Sequence, residues 1–199
     1  TEKVKSEVLK SDSGQIIYMD NPSGNLQMQA VESDCGSIIF IEHPTEKVQI
    51  RAVTADPELF IYIGSPTEKV RYAAVSACAD NIMYISRPSE KLQISAVSQD
   101  CETVRYIEEP CESKDPMEIM GMEHPSEAAQ LYVVRQNPEM IQFIGAPSEK
   151  VQLEVVRKDA SLIMLLDAPS EKVQLEAVRK DIGVFLYINK PTEKVKSEV

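Results

Sequence analysis

The chain has 199 residues, 43% of them hydrophobic and 27% charged, a balance usual for a folded protein in water. Its formal net charge of −11 argues against non-specific binding to phosphate backbones, which needs a basic face. No apolar run approaches the ~18 residues of a membrane span. The N-terminal TEKVKSEVLK is amphipathic and lacks a signal peptide's apolar core, so a cytoplasmic location is expected.

Prolines set a ruler along the chain. Pro22, Pro44, Pro66, Pro88 and Pro110 are spaced by 22 residues; Pro125 follows after only 15; then Pro147, Pro169 and Pro191 resume the period of 22. A first unit, from Thr1, is in register without its proline, and the last, from Pro191, stops after nine residues. The predicted organisation is one continuous array. Residues 1–109 hold about five repeats, 110–124 form a shortened repeat or kink, and 125–199 hold three repeats and a terminal half-unit.

With the proline as position one, position two is Ser or Thr in most units (Thr45, Thr67, Ser89, Ser126, Ser148, Ser170) and position three is usually Glu. A hydroxyl there caps the free N–H groups of a following helix, and the carboxylate meets the positive end of its dipole. The spacing predicts a helix through about position twelve, with apolar residues at five, seven, nine and ten. That arc is wider than a surface helix needs and suits a helix gripped on both sides by neighbouring repeats. Position thirteen is usually Asp (Asp12, Asp34, Asp56, Asp100, Asp159, Asp181) with Asn137 as a variant, and reads as a second N-cap. Pro57 and Pro138 follow it at a first-turn position where proline is tolerated. A shorter second helix, part of it 3₁₀, then carries Ile, Phe, Tyr and Met through positions seventeen to twenty. The fold class expected is all-α: a right-handed α-solenoid of short two-helix repeats.

The string P-[ST]-E-K-V-Q-L-x-A-V-x-x-D resembles the uncharacterised 22-residue helical repeats of phage, giant-virus and bacterial proteins. More loosely it is similar to leucine-rich repeat variants and HEAT-like units. The resemblance implies a right-handed solenoid that acts as a binding scaffold; it implies no chemistry.

The largest departure is PCESKDPMEIMGMEH at 110–124. Aligned from its far end, Asp115 and Pro116 take second-cap positions, Ile119 and Met122 core positions, and seven residues of the first helix are missing. Nearby, Arg105 and Gln142 replace the apolar residue usual at position eighteen, and Gly121 replaces an aromatic. Met117, Met120, Met122 and Met140 fit either an adaptable binding surface or a decayed repeat with an irregular core. The aromatic series at position nineteen (Tyr18, Phe40, Tyr62, Tyr84, Tyr106, Phe143, Tyr187) reads as a core ladder, since it lies between Ile and Met without the interleaved Arg or Lys of a base-stacking platform.

No catalytic grouping stands out, and no cofactor or metal is expected. His43 and His124 lie several repeats apart, and Cys35, Cys78, Cys101 and Cys111 have no CxxC spacing. The function expected is a protein-interaction scaffold, with an acidic inhibitor that occupies a basic groove as the alternative. Its partner would be a protein, with no nucleic acid and no membrane. Candidate partner-binding residues are Arg51, Tyr72, Arg105, Lys114, Met117, Met120 and Tyr132, on the positions that vary between repeats and at the irregular segment. TEKVKSEV stands at both 1–8 and 192–199, which suggests a duplication or an excerpt of a longer array, or head-to-tail or homodimeric self-association.

Overall fold

A computed structural model describes residues 1–107 and 124–199, and every regular element among them is helical. The chain divides into two compact units, Thr1–Ser86 and Arg87–Val199. Residues 110–123 of the irregular segment lie outside the described residues.

Each complete repeat folds as its caps dictate. A ten-residue α-helix occupies positions three to twelve: Gly24–Ser33, Glu46–Ala55 and Glu68–Ala77 in the first unit; Glu90–Gln99, Glu127–Gln136, Glu149–Lys158 and Glu171–Lys180 in the second. Glu2–Ser11 opens the chain in the same register, and Glu193–Glu198 is the shortened last example. Position-two hydroxyls of Ser23, Thr67, Ser126, Ser148, Ser170 and Thr192 accept from the N–H three residues on. Thr45 makes no such bond.

The Asp at position thirteen ends one helix and starts the next. Asp12, Asp34, Asp56, Asp100, Asn137, Asp159 and Asp181 each accept from the N–H two residues on, at 2.8–3.1 Å. The second helix is 3₁₀ throughout in most repeats: Ser13–Tyr18, Cys35–Phe40, Pro57–Tyr62, Ala79–Tyr84, Pro138–Phe143, Ala160–Leu165 and Ile182–Tyr187. In the repeat from Pro88, Cys101–Thr103 turns α-helical over Val104–Ile107.

Burial follows from these two geometries. On the α-helices, positions five, nine and ten are sealed: Val48, Ala52 and Val53 are 0% exposed, as are Val70, Ala74, Val75, Leu92, Ala96 and Val97. Each sealed valine or leucine contributes about 1.5–3 kcal/mol. Position seven is buried only in the second unit, at Leu131, Leu153 and Leu175. In a 3₁₀-helix residues three apart share a face. So position seventeen (Ile16, Ile38, Phe60, Ile82) and position twenty (Ile41, Ile63, Ile85) point inward, and eighteen and nineteen do not.

Position six carries the inter-repeat joint. Gln27, Gln93, Gln130 and Gln174 are buried within the α-helix packing. Their side-chain amides donate to the carbonyl of their own repeat's proline at 2.8–3.1 Å. Their Oε1 atoms accept the N–H at position two of the next repeat: Thr45, Ser126, Ser148 and Thr192, at 2.7–3.3 Å. One side chain thus satisfies two backbone groups that the helix start leaves unpaired. Gln49 and Gln152 keep the proline bond, but their Oε1 atoms are buried without a partner. Arg71, in the last repeat of the first unit, takes the glutamine's place, and a guanidinium accepts nothing.

In both units the α-helices contact their neighbours in chain order, as do most of the 3₁₀-helices. The contact also runs across the irregular segment. Glu90–Gln99 packs against Glu127–Gln136, and Gln93 reaches Ser126 by the same bond that joins consecutive repeats. Among the described residues, no helix is long and apolar enough to cross a membrane.

Candidate interaction surface

The side chains at positions eighteen and nineteen of the 3₁₀-helices stand in solvent. In the first unit these are Ile17 and Tyr18, Ile39 and Phe40, Ile61 and Tyr62, then Met83 and Tyr84, with exposures from 43% at Phe40 to 79% at Tyr18. This overturns the core ladder expected from the sequence. The aromatics recur once per repeat because the 3₁₀ register recurs, but the register turns them outward. Tyr106 and Phe143 of the second unit are half-buried, while Tyr187 is exposed. Arg105 and Gln142 are exposed as well, so at position eighteen they replace surface residues and leave the core untouched.

Four such pairs in succession make a continuous apolar strip. Large side chains offer ~150–250 Å² each, so eight that are about half exposed present roughly 800–1,000 Å². Contiguous apolar patches on monomeric proteins rarely exceed about 300–600 Å². Between the pairs lie three shallow grooves, one at each repeat joint. Ile17, Asp20, Phe40 and Glu42 are among the residues lining the first; Ile39, Glu42, His43 and Tyr62 the second; Ile61, Arg71 and Tyr84 the third.

Charge around the strip is mostly negative, with Arg71 in the third groove as the exception. The second-helix segments of this unit, 12–21, 34–43, 56–65 and 78–86, contain Asp12, Asp20, Asp34, Glu42, Asp56, Glu58 and Asp80 and no Lys or Arg. Asp12, Asp34 and Asp56 are held by capping bonds. The exposed Asp20, Glu42, Glu58 and Asp80 are at the surface beside the apolar pairs. Every Lys and Arg of the unit comes from its α-helices.

On the α-helices, charge is paired between repeats. Position-three carboxylates meet position-four lysines of the next repeat: Glu46 with Lys69 at 3.0 Å, Glu127 with Lys150 at 2.9 Å, Glu149 with Lys172 at 3.2 Å and Glu171 with Lys194 at 3.6 Å. The next repeat's hydroxyl also donates to this carboxylate, from Thr67 to Glu46 and from Ser170 to Glu149, and from Ser23 to Glu2. The Thr67 hydroxyl first, then Lys69, lowers the pKa of Glu46; Ser170 and then Lys172 do the same for Glu149. At Glu127 the order is Lys150, then Ser148.

A second ladder joins position eleven to position eight of the next repeat, through Arg135–Glu154, Arg157–Glu176 and Arg179–Glu198 at 3.2, 2.9 and 2.7 Å. It belongs to the second unit alone. At the corresponding places the first unit has Lys10 and Gln29, the latter bonded to Ser6 at 2.7 Å, then Glu32 and Arg51 with the charges reversed, and the non-ionic pair Thr54 and Ala73.

The residues nominated from the sequence are scattered. Arg51 and Tyr72 are exposed on consecutive α-helices of the first unit, and Tyr132 is half-buried on the helix Glu127–Gln136 of the second. Arg105 pairs with Glu102 at 3.6 Å, and its guanidinium lies 3.8 Å from the centroid of the Phe143 ring, a cation–π contact between stacked second helices. Lys114, Met117 and Met120 lie outside the described residues, as do Ile119, Met122, Gly121 and Cys111. Cys35, Cys78 and Cys101 are free and half-buried. Burial, with a smaller effect of Asp100, raises the pKa of the Cys101 thiol.

Two features went unread in the sequence. The strip was hidden because its residues look like core. The glutamine joint left a legible sign: a polar residue recurring at position six inside an otherwise apolar arc. No protein-family model, curated protein or solved structure matches the chain.

Proposed function

We propose that this chain is a right-handed α-solenoid that acts as a protein-interaction scaffold, docking its partner on the exposed apolar strip of the 3₁₀-helices. The observation that carries this is the run of four adjacent apolar pairs, from Ile17–Tyr18 to Met83–Tyr84, standing in solvent. Its area is comparable with one partner's share, about 800 Å², of a stable protein–protein interface. Three of its eight side chains, Tyr18, Tyr62 and Tyr84, are tyrosines, and tyrosine supplies large contact area with few rotatable bonds.

The test separates the two faces of the first unit. A random peptide library is panned against the chain. Binders are then measured on a strip variant, Tyr18→Ser with Tyr62→Ser, and on an α-helix variant, Arg51→Ala with Tyr72→Ala. Loss of binding on the strip variant alone is expected. Binders that ignore the strip variant and are lost on the α-helix variant would place docking on the helix positions and end this reading.

A further inference from the structure

We propose that the partner segment docked on the strip is cationic and amphipathic, a polypeptide whose apolar side chains are flanked by Lys or Arg. The inference rests on the docking reading above and adds the partner's chemistry. An apolar strip alone would accept any hydrophobic segment. Here the second-helix segments through Ser86 supply seven carboxylates and no Lys or Arg, and the cationic side chains nearest the strip, Arg71 in the third groove and Arg87 after the last segment, stand at its Tyr84 end.

The grooves make the requirement local. Asp20 and Glu42 line the first, and Glu42 lines the second. A partner residue seated between Ile39 and Tyr62 therefore has a carboxylate within the same groove. The third groove differs, because Arg71 lines it beside Tyr84. Cationic residues of the partner belong at the Tyr18-to-Tyr62 end of the strip and not at the Tyr84 end.

The same pattern disfavours other occupants. A second copy of this chain, docked strip to strip, would bring two carboxylate frames together, and like charges across an interface are unfavourable. Nucleic acid and anionic lipid surfaces would meet the same repulsion. A basic amphipathic segment buries the apolar area and pairs the frame at once, and charge of this kind steers association and selects the partner.

The experiment uses the intact chain and a phage-displayed library of random 16-residue peptides. Peptides that bind the chain but not the Tyr18→Ser/Tyr62→Ser variant are sequenced. They are then re-measured on a charge-neutralised variant, Asp20→Asn, Glu42→Gln and Glu58→Gln, whose three carboxylates make no capping bond. The expected set is enriched in Lys and Arg beside Leu, Ile, Phe or Trp, binds the neutralised variant about tenfold more weakly, and loses affinity as salt rises. Strip-dependent peptides that are neutral or acidic, or that bind the neutralised variant equally well, would overturn the charge inference and leave the docking surface standing. Peptides indifferent to the strip variant, or no enrichment at all, would overturn both. Circular dichroism of each variant checks that its helices are intact.

Discussion

In the first unit the exposed pairs of the second helices are Ile–Tyr, Ile–Phe, Ile–Tyr and Met–Tyr, whereas the second unit begins with Arg105–Tyr106 and Gln142–Phe143. The α-helices reverse the contrast. From Glu127 onward the second unit has an Arg–Glu ladder and a buried leucine at position seven, and the first unit has neither. One repeat thus yields two surfaces, because positions outside the sealed set of five, nine, ten, seventeen and twenty, the two caps and the glutamine joint are free to vary. In the second unit they add charge pairs to the stack, and only its last two second helices, with Met164–Leu165 and Leu186–Tyr187, expose apolar pairs. In the first they leave an apolar strip open to solvent.

The largest effect expected separates the two faces of a single second helix. Ile82, 1% exposed, should cost about 2–5 kcal/mol as Ile82→Ala. Tyr84→Ala, two residues on, should cost well under about 1 kcal/mol, as exposed positions do. Denaturant unfolding of both variants measures this, and equal losses would restore the core ladder.

The glutamine joint comes next. Gln130→Leu removes a bond to the Pro125 carbonyl and one from the Ser148 N–H. Stranding these backbone groups should cost about 2–4 kcal/mol. Gln49→Leu in the first unit loses one bond and also removes an unpartnered Oε1, so its cost should be near about 1 kcal/mol or less. Similar costs for the two would show that the joint does not depend on its second bond.

Acid should then act on the second unit more than on the first. Glu127, Glu149, Asp159 and Glu198 have lowered pKa values there, against Glu46 alone in the first unit. A lowered folded-state pKa stabilises above the unfolded value, near 4.5 for Glu and 3.8 for Asp, and that stability is lost as pH falls through the folded value. Hydrogen exchange between pH 5 and 3 should therefore loosen the helices of the second unit first. Earlier loosening of the first would contradict the ladder's role.

The smallest effect would come from installing the ladder where it is missing. Thr54→Arg with Ala73→Glu should raise stability by at most about 1 kcal/mol, and high salt should erase the gain. A salt-insensitive gain would mean that packing, and not charge, is responsible.

Much of this was legible in the residues. A Ser or Thr before Glu starts an α-helix, and Asp at position thirteen stops it and starts another, because both supply acceptors for N–H groups within a few residues. Local hydrogen bonding reads out of local sequence, so the 22-residue unit, its two caps and the sealed positions five, nine and ten could be found without coordinates. Position eighteen shows the limit. Ile17 and Ile16 are chemically identical, yet one is exposed and the other sealed, since a shift of one residue on a 3₁₀-helix rotates the side chain by about 120°.

The eight residues TEKVKSEV mark the same boundary. By themselves they determine a helix start, and both copies form one, Glu2–Ser11 and Glu193–Glu198. Val195 is 0% exposed, while Val4, at the matching place, is 62% exposed. The helix Glu171–Lys180 packs against the second copy, whereas the first copy packs against the helices that follow it, Ser13–Tyr18 and Gly24–Ser33. Helix and caps follow from bonds within the segment. Burial depends on which neighbour stacks against it, and the tertiary structure alone supplies that neighbour.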